Sequence, residues 1–185
     1  MWLARLIFLA VICIAASARA QAPLAPLYDT PVYFAPAKKY FELINIRWTQ
    51  MNWAHANQDA QKRVFKGTHG RLAIADSLEV HEFLLKTFHI EYPALIGLRY
   101  WCDRHKLEWS DGTLLEPGSF QAWDSAWMQE VSQCSGAAMP GEREQYMAIA
   151  YSQIQNPPSQ PFRWYAKGWY KAFWSYFVEY PTGGP

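Results

Sequence analysis

The chain has 185 residues, which suits one domain or a domain with a short arm. Hydrophobic residues make up 51% of the sequence and charged residues 18%, so a largely disordered chain is excluded and a sizeable core is expected. The chain carries 17 Lys and Arg against 16 Asp and Glu. Because a nearly neutral chain exerts little long-range attraction on phosphate backbones, we expect no nucleic-acid partner.

The first twenty residues have the pattern of a secretory signal peptide. Arg5 supplies a positive charge, residues 6–16 form an apolar run, and residues 18–20 (ARA) match the A-x-A cleavage pattern. The apolar run is shorter than the ~20 residues that span a bilayer, and no later stretch qualifies. We expect cleavage near Ala20, which leaves 15 basic against 16 acidic side chains, and a secreted or periplasmic mature protein without a transmembrane segment.

Export determines which cysteines the mature protein keeps and whether they are expected to be oxidised. Cys13 lies within the signal peptide, so Cys102 and Cys134 are the two that reach an oxidising compartment. A disulfide between them would close a loop of about 32 residues and stabilise the fold by roughly 3–4 kcal/mol in the chain-entropy model. Two free thiols are the alternative. Since no Cys-x-x-Cys motif indicates redox chemistry, we favour the structural disulfide.

Strand patterns dominate the second half of the chain, and the order of elements is α+β. Residues 21–39 contain four prolines and are predicted to form an extended arm that leads into a single domain over residues 40–185. Residues 113–144 show no period and are predicted to form a long loop, which in a compact domain usually has a function. Strands are predicted at residues 40–47, 94–100, 107–112, 146–151, 162–165 and 176–180.

Two helices are predicted between the first and second strands. Asn52 has the character of an N-cap for a helix over residues 53–63. Asp76 and Glu79 have the spacing of a capping box, which predicts a second helix that ends near Phe88. Apolar residues recur along this second segment at helical spacing and predict one buried face.

Several short motifs, in this order, resemble those of C-type lectin-like domains. They are residues 70–73 (GRLA) for the family's G-x-L-A stretch, 95–98 (LIGL) for W-I-G-L, 109–112 (WSDG) for the W-x-D-G turn, and 177–180 (FVEY) for the closing F-V-C-E strand. The resemblance runs from about residue 40 to residue 180. It implies two helices packed on small antiparallel sheets with a long loop, and a secreted module that recognises carbohydrate or protein.

The chain departs from this family in its cysteines. One usual disulfide ties the first helix to the last strand, but here Ala60 lies near the helix position and Val178 runs directly into Glu179. Partners for the second usual disulfide are not obvious. The pair Cys102 and Cys134 resembles a private bridge at the base of the long loop. This loss of the usual bridges is similar to exported bacterial versions of the fold.

The calcium-binding triplets of sugar-binding members are also replaced. The loop triplet aligns with residues 139–141 (MPG) and the strand triplet with residues 164–166 (WYA), and neither supplies a carboxylate or an amide. An alternative alignment of the loop triplet on residues 116–118 (EPG) keeps only the Glu. Because calcium takes six to eight oxygen ligands, we expect no cofactor and a binding mode that is independent of calcium.

Aromatic and charged side chains in and after the long loop are the candidate ligand-binding residues. A tryptophan is more often core than surface, and we expect this of Trp109, Trp123, Trp164 and Trp174. The residues predicted to contact a ligand are Trp127, Tyr165, Trp169, Lys167, Glu142 and Glu144. Lys171 lies beside them in the sequence.

Catalysis has little support in the sequence, and we expect that the protein is not an enzyme. Glu142 and Glu144 are an i, i+2 pair of carboxylates, a common spacing that by itself predicts no acid–base chemistry. The histidines show no metal-ligating spacing, and His81 is expected on the surface of the second helix. The alternative to a ligand-binding module is a structural or assembly subunit of an exported complex whose aromatic surface is an interface.

Overall fold

The computed structural model describes residues 30–46, 50–124, 134, 145–152, 162–168 and 171–185. Within these ranges the helices are α1 (Trp53–Lys62) and α2 (Leu78–Thr87). The strands are β1 (Val32–Phe34), β2 (Lys39–Asn45), β3 (Val64–Phe65), β4 (Thr68–His69), β5 (Arg71–Leu72), β6 (Ala94–Trp101), β7 (Lys106–Trp109), β8 (Tyr146–Ser152), β9 (Arg163–Gly168) and β10 (Ser175–Tyr180). Neither helix has the length and apolarity to cross a membrane.

The main sheet has the strand order β1-β2-β10-β6-β8-β9, with β5 paired to β10 and β7 paired to β6. The sheet is mixed, because β10 runs parallel to β6 while the other pairings are antiparallel. The predicted α+β class is confirmed. The expectation of small antiparallel sheets is corrected: the closing strand inserts between β2 and β6 and joins both halves of the chain into one sheet.

The sheet begins earlier than the predicted domain boundary at residue 40. Val32 pairs with Phe41 and Phe34 with Lys39, so β1 is an edge strand of the main sheet. The ring of Phe34 stacks on Phe83 of α2, with 4.5 Å between ring centroids. Residues 32–39, predicted as part of the extended arm, therefore contribute to the sheet and its core, because the β-branched and aromatic side chains of β1 pack against β2 and α2.

Side-chain caps begin both helices. Asn52 caps α1 as predicted, since its Oδ1 accepts a hydrogen bond of 2.9 Å from the backbone N–H of His55. The cap of α2 is Ser77, whose Oγ accepts from the N–H of Val80 at 3.2 Å. The predicted capping box of Asp76 and Glu79 is wrong, because a start at Ser77 moves Glu79 out of the N3 position that a capping box requires.

The two faces of the main sheet bury separate hydrophobic clusters. Phe41, Leu84, Ile96, Trp164 and Phe177 belong to the cluster beneath α2. Trp53, Leu95, Tyr146, Tyr165 and Tyr176 belong to the cluster beneath α1. Consecutive residues of one strand point to opposite faces, so each buried strand serves both clusters. This explains why β6, β8 and β10 are apolar along almost their whole length.

Residues 109–112, which resemble the W-x-D-G turn, lie at a close contact between strands β5, β6 and β7. The Oγ of Ser110 donates to the backbone oxygen of Leu72 at 2.7 Å. A Cβ at Gly97 would lie 2.7 Å from both of those oxygens, so only glycine lets β6 approach this closely. The Asp111 carboxylate accepts from the N–H of Thr113 at 3.0 Å and closes the turn. The motif is thus a structural feature that holds β5, β6 and β7 together.

Close packing joins the first helix to the last strand. Ala60 of α1 and Val178 of β10 are both fully buried. A Cβ at Gly70 would lie 2.8 Å from the Ala60 carbonyl oxygen and 2.8 Å from Val178 Cγ1. The space between the helix and the strand therefore has no room for a side chain at residue 70. The structure contains a disulfide elsewhere, between Cys102 and Cys134, whose Cα atoms are 5.7 Å apart.

Candidate functional site

A cavity of about 330 Å³ lies beside the connection from β9 to β10. Its lining includes Pro93, Tyr165, Lys167, Lys171, Phe173 and Trp174. Tyr165 and Phe173 also belong to the cluster beneath α1, which places the cavity on the α1 side of the sheet. We call it the β9–β10 cavity.

Strand β9 forms one wall of the cavity. Tyr165 pairs with Ala150 of β8 and Lys167 pairs with Ala148, so the two side chains share one face of the sheet. The Lys167 Nζ lies 5.3 Å from the centroid of the Tyr165 ring, a cation–π distance. Since the ladder with β8 fixes the backbone, the positions of both side chains follow from strand register.

The segment before β10 contributes Lys171, Ala172, Phe173 and Trp174 to the lining, and backbone hydrogen bonds hold it in place. Phe173 exchanges two bonds with Met51, at 2.8 and 3.0 Å. The carbonyl of Trp174 accepts from the N–H of Ile46 at 2.7 Å. These contacts fix the segment against the residues that precede α1, so this wall is built into the fold.

Trp174 is the exposed aromatic residue of the lining, with 37% of its surface accessible. The expectation that Trp174 is core is therefore wrong. Strand β10 begins one residue later, at Ser175, and Trp174 lies in the turn before the strand, where nothing covers it fully. Of the other expected core tryptophans, Trp109 and Trp164 are buried, whereas Trp123 is half-buried.

Pro93, which directly precedes β6, also lines the cavity. The Ser175 hydroxyl donates to the carbonyl of Tyr92 at 3.2 Å, which joins the segment before β6 to the beginning of β10. Tyr92 precedes the lining residue Pro93 and is exposed. The charge of Glu91 and a hydrogen bond to it raise the pKa of the Tyr92 hydroxyl above its ordinary value, so this phenol stays neutral at physiological pH.

The structure brings together two of the predicted ligand-binding residues, Tyr165 and Lys167. Tyr165 is only 7% exposed, so it contributes a cavity wall rather than an open platform. Trp127, Glu142, Glu144 and Trp169 lie outside the described residues. Sequence reasoning missed Phe173 and Trp174 as lining residues. Side chains alternate between the two faces of a strand, and this spacing could have placed Tyr165 and Lys167 on one face of β9. No local pattern indicated that the segment before β10 lines the same cavity.

Of the residues aligned with the calcium triplets, the structure describes 116–118 and 164–166, whereas 139–141 lie outside the described residues. Trp164 and Ala166 of β9 are fully buried and carry no oxygen ligand. Glu116 is an exposed turn residue, and its own carbonyl accepts from the N–H of Ser119 at 3.1 Å. Among the described residues, no three His, Cys, Asp or Glu side chains converge as a metal site would require.

His81 is buried, contrary to the expectation of a surface position. Its Nδ1 lies 2.8 Å from the hydroxyl of Tyr151, and its ring lies 5.3 Å from that of Phe120. Burial lowers the pKa of His81, and the positive charge of Arg163 lowers it further. Burial also raises the pKa of Tyr151. The pair lies within the cluster beneath α2, away from the β9–β10 cavity. It forms a hydrogen bond between two neutral side chains in the core.

A buried carboxylate occupies the far end of β10. Glu179 is fully buried and accepts from Lys39 at 3.2 Å, from Arg71 at 2.7 Å and from the backbone N–H of Ile74 at 3.0 Å. Arg71 also contacts Asp111 at 3.2 Å. Because its partners come from β2, β5 and the segment after β5, this carboxylate joins three parts of the fold and is satisfied within it.

Comparisons with known proteins identify the fold. No protein-family model matches the chain, and a comparison with curated proteins found no match either. Among solved structures, the human scavenger receptor C-type lectin carbohydrate-recognition domain matches with a TM-score of 0.54 at 13% identity, over 83% of this chain and 98% of that domain. The mouse counterpart matches with a TM-score of 0.50 at 13% identity, over 77% of this chain and 87% of that chain.

The chain has the C-type lectin-like fold. The predicted resemblance is confirmed at this level, with two helices on a mixed sheet. A structural match at 13% identity shows the fold but does not show the function, because proteins that share one fold bind many different ligands. The chemistry of this C-type lectin-like domain therefore has to be argued from its own β9–β10 cavity.

Proposed function

We propose that this C-type lectin-like domain is a ligand-recognition module that binds carbohydrate in the β9–β10 cavity without calcium. The observation that carries the proposal is the cavity itself, in which aromatic side chains and lysines converge on about 330 Å³ of space. A small-molecule site typically combines an apolar concave surface with a few polar groups that fix orientation. The cavity has both parts.

The shape of the site favours a saccharide unit over a folded protein partner. Ligand pockets occupy about 300–1,000 Å³, so this cavity suits a small ring-shaped group. A stable protein interface buries about 800 Å² on each partner, which one cavity does not supply. Aromatic faces such as that of Trp174 offer an apolar surface to the C–H face of a sugar ring, while lysines serve its oxygens.

Independence from calcium is proposed on the chemistry of the residues. The strand that carries oxygen ligands in calcium-dependent sugar-binding members has Trp164, Tyr165 and Ala166 at the aligned positions. Calcium prefers carboxylate and carbonyl oxygens, and none of these side chains supplies one. We accordingly propose that no cofactor is needed and that the module binds rather than catalyses.

The direct test is a glycan array followed by calorimetric titration of the mature protein, once with EDTA and once with calcium chloride. We expect the same affinity in both buffers, and about a tenfold loss of affinity in Trp174→Ala, which corresponds to ~1.4 kcal/mol. Val64→Ala is the matched control, because Val64 is also an exposed apolar residue but does not line the cavity. Binding that disappears in EDTA, or a tight stoichiometric calcium site, would contradict calcium independence.

The competing function is assembly within an exported complex. Exposed aromatic residues such as Trp174 and Tyr92 are also suited to an interface with another protein. Light scattering coupled to size-exclusion chromatography separates the two functions. A stable oligomer that loses its partner in Trp174→Ala, together with no signal on the array, would replace carbohydrate binding by assembly.

We also propose export to the periplasm or the cell exterior. The A-x-A pattern at residues 18–20 supports it, and so does the Cys102–Cys134 disulfide, since such bonds persist in oxidising compartments. Protein recovered from an expressing host should begin at Gln21 and contain no thiol that reacts before reduction. An intact Met1 and three reactive thiols, those of Cys13, Cys102 and Cys134, would indicate retention in the cytoplasm.

A further inference from the structure

We infer that the carbohydrate-binding site extends beyond the β9–β10 cavity onto Tyr92, so that the ligand is an oligosaccharide rather than a single sugar. One sugar unit occupies the cavity beside Trp174, and the adjacent unit lies against the exposed ring of Tyr92. The inference rests on the proposed function and names both the class of saccharide and the residue that recognises its second unit.

Exposed aromatic rings are rare in this domain. Of the Phe, Trp and Tyr residues that the structure describes, the exposed ones are Tyr92, with 45% of its surface accessible, and Trp174, with 37%. The other described aromatic rings are buried or half-buried. Single apolar residues on a surface are ordinary, whereas apolar residues that gather at one place mark a binding surface.

Strand pairing brings the two exposed rings to one place. Ser175, the first residue of β10, pairs in parallel with Ala94, the first residue of β6. Parallel strands run in the same direction, so the segments that lead into β6 and β10 lie side by side at one edge of the sheet. Trp174 is one residue before this pair and Tyr92 is two residues before it.

A buried hydroxyl group fixes the two segments to each other. The Oγ of Ser175 donates to the carbonyl oxygen of Tyr92 at 3.2 Å and lies 3.4 Å from the carbonyl oxygen of Pro93. Ser175 is 1% exposed, so water does not compete for these contacts. The backbone of Tyr92 is therefore positioned before any ligand arrives, which lowers the entropic cost of binding.

Tyr92 lies at the rim of the cavity and not inside it. It directly precedes the lining residue Pro93 but does not itself line the cavity. The cavity of about 330 Å³ is near the lower limit of ligand pockets, so a chain of sugar units has to continue across the rim. The Tyr92 hydroxyl is hydrogen-bonded to Glu91, and the apolar face of the ring is the part that suits the C–H face of a sugar.

An oligosaccharide is the ligand that uses both exposed rings. A monosaccharide in the cavity reaches Trp174 but leaves Tyr92 in water. A folded protein would need a broad apolar surface around the two rings. The other exposed large apolar residues that the structure describes belong to other elements, namely β3, α2 and the segment after β7: Val64, Leu78 and Leu114.

The first experiment varies the length of the saccharide. The probes are a glycan array on which each hexose, N-acetylhexosamine and hexuronic acid is present as a monosaccharide, a disaccharide and a trisaccharide. The three members of the series with the strongest signal are then titrated by calorimetry. We expect the disaccharide to bind at least about tenfold more tightly than the monosaccharide, and the third unit to add little.

The second experiment assigns the gain to the ring of Tyr92. Tyr92→Ala should reduce the affinity for the disaccharide to that for the monosaccharide and leave the monosaccharide unchanged. Tyr92→Phe should keep the gain, because it retains the ring face. Trp174→Ala should weaken both saccharides alike. Leu114→Ala is the matched control, since Leu114 is also an exposed apolar residue and does not line the cavity.

The outcomes separate this inference from the function on which it rests. Equal affinity of the wild type for monosaccharide and disaccharide would overturn the second unit and leave carbohydrate binding in place. An array with no signal would overturn the proposed function itself.

The variants test Tyr92 in the same way. A Tyr92→Ala variant that keeps the preference for the disaccharide, or that weakens both saccharides alike, would overturn the inference. A loss in Tyr92→Phe as large as in Tyr92→Ala would assign the contact to the hydroxyl and overturn the ring contact. So would a loss of the preference in Leu114→Ala, because that residue lies on another element.

Discussion

The two ends of strand β10 use charge in opposite ways. At its end, Glu179 is fully buried and bonds to Lys39, Arg71 and a backbone N–H, so every partner comes from the fold. Just before its start, Trp174 is exposed beside a cavity that Lys167 and Lys171 also line. One strand therefore joins a closed polar site to an open one.

The difference between the two ends shows where stability and function are separated in this domain. A buried charge whose partners are internal holds elements together. Its removal leaves the partner charges without compensation, which destabilises the folded state. Side chains that line an open cavity stay in contact with water, so they contribute less to folding than a buried ion pair does. The closed end should therefore respond to mutation in unfolding experiments and the open end in binding experiments.

The largest effect is expected from Glu179→Gln. The amide removes the charge that Lys39 and Arg71 face, and breaking a buried ion pair costs about 3–5 kcal/mol. The lysine and arginine side chains are partly exposed, which allows some rehydration, so we expect about 3 kcal/mol. Urea denaturation followed by tryptophan fluorescence measures the change in the free energy of unfolding.

Glu82→Gln is the control for this variant. It also removes a carboxylate from an ion pair, with Lys86 at 2.6 Å, but that pair lies on the exposed face of α2. We expect no resolvable shift in its urea midpoint. Equal shifts in Glu179→Gln and Glu82→Gln would show that burial does not make the ion pairs of Glu179 more important for stability than an exposed pair.

The next effect is expected from Gly70→Ala, which tests the packing at the closed end. The new Cβ would lie 2.8 Å from the Ala60 carbonyl and from Val178 Cγ1, and the backbone carbonyl has little room to move. Overpacking of this kind costs about 1–3 kcal/mol. Gly184→Ala is the control, because a Cβ there meets nothing within 4 Å. A Gly70→Ala variant as stable as Gly184→Ala would mean that this joint is loose.

Features that depend on neighbouring residues were more predictable from sequence than contacts between distant parts of the chain. Local signals determine the Asn52 cap and the turn at residues 109–112, because capping and turn chemistry act within a few residues. Contacts across the chain have no such signal. The burial of His81 depends on Tyr151, seventy residues away, and the exposure of Trp174 depends on where β10 begins. The cavity forms from segments that meet only in the folded chain.

A smaller effect, which depends on pH, is expected from the neutral pair of His81 and Tyr151. Burial lowers the folded pKa of His81 and the Arg163 charge lowers it further, while Glu82 opposes this only in part. The unfolded chain, with an ordinary histidine pKa near 6.5, then binds more protons than the folded one below that pH. Stability should be constant above pH 6.5 and fall as the pH drops from there toward the folded pKa.

His81→Gln checks this assignment, because glutamine keeps a hydrogen-bonding group and does not titrate. Urea midpoints measured between pH 7.5 and pH 5 should fall less for the variant than for the wild type. His55 is an exposed histidine at the start of α1, so His55→Gln should retain the wild-type pH dependence. If His55→Gln flattens the profile and His81→Gln does not, the buried pair is not its source.

The smallest change in unfolding free energy is expected from Lys171→Met at the open end, and it sharpens the comparison most. Lys171→Met alters an exposed side chain and should stay within about 0.5 kcal/mol of the wild type without ligand, whereas Trp174→Ala also removes the covered part of a ring that is 37% exposed and should cost about 1–2 kcal/mol. With the best-binding saccharide at about 100 times its Kd, the wild type should gain ~2.7 kcal/mol, because a ligand that binds only the folded state stabilises it by mass action. In either variant a tenfold weaker Kd reduces that gain to about 1.4 kcal/mol at the same concentration. Variants that lose more stability than this without ligand and keep the full gain with it would place Trp174 and Lys171 in the scaffold, and the two ends of β10 would then be alike.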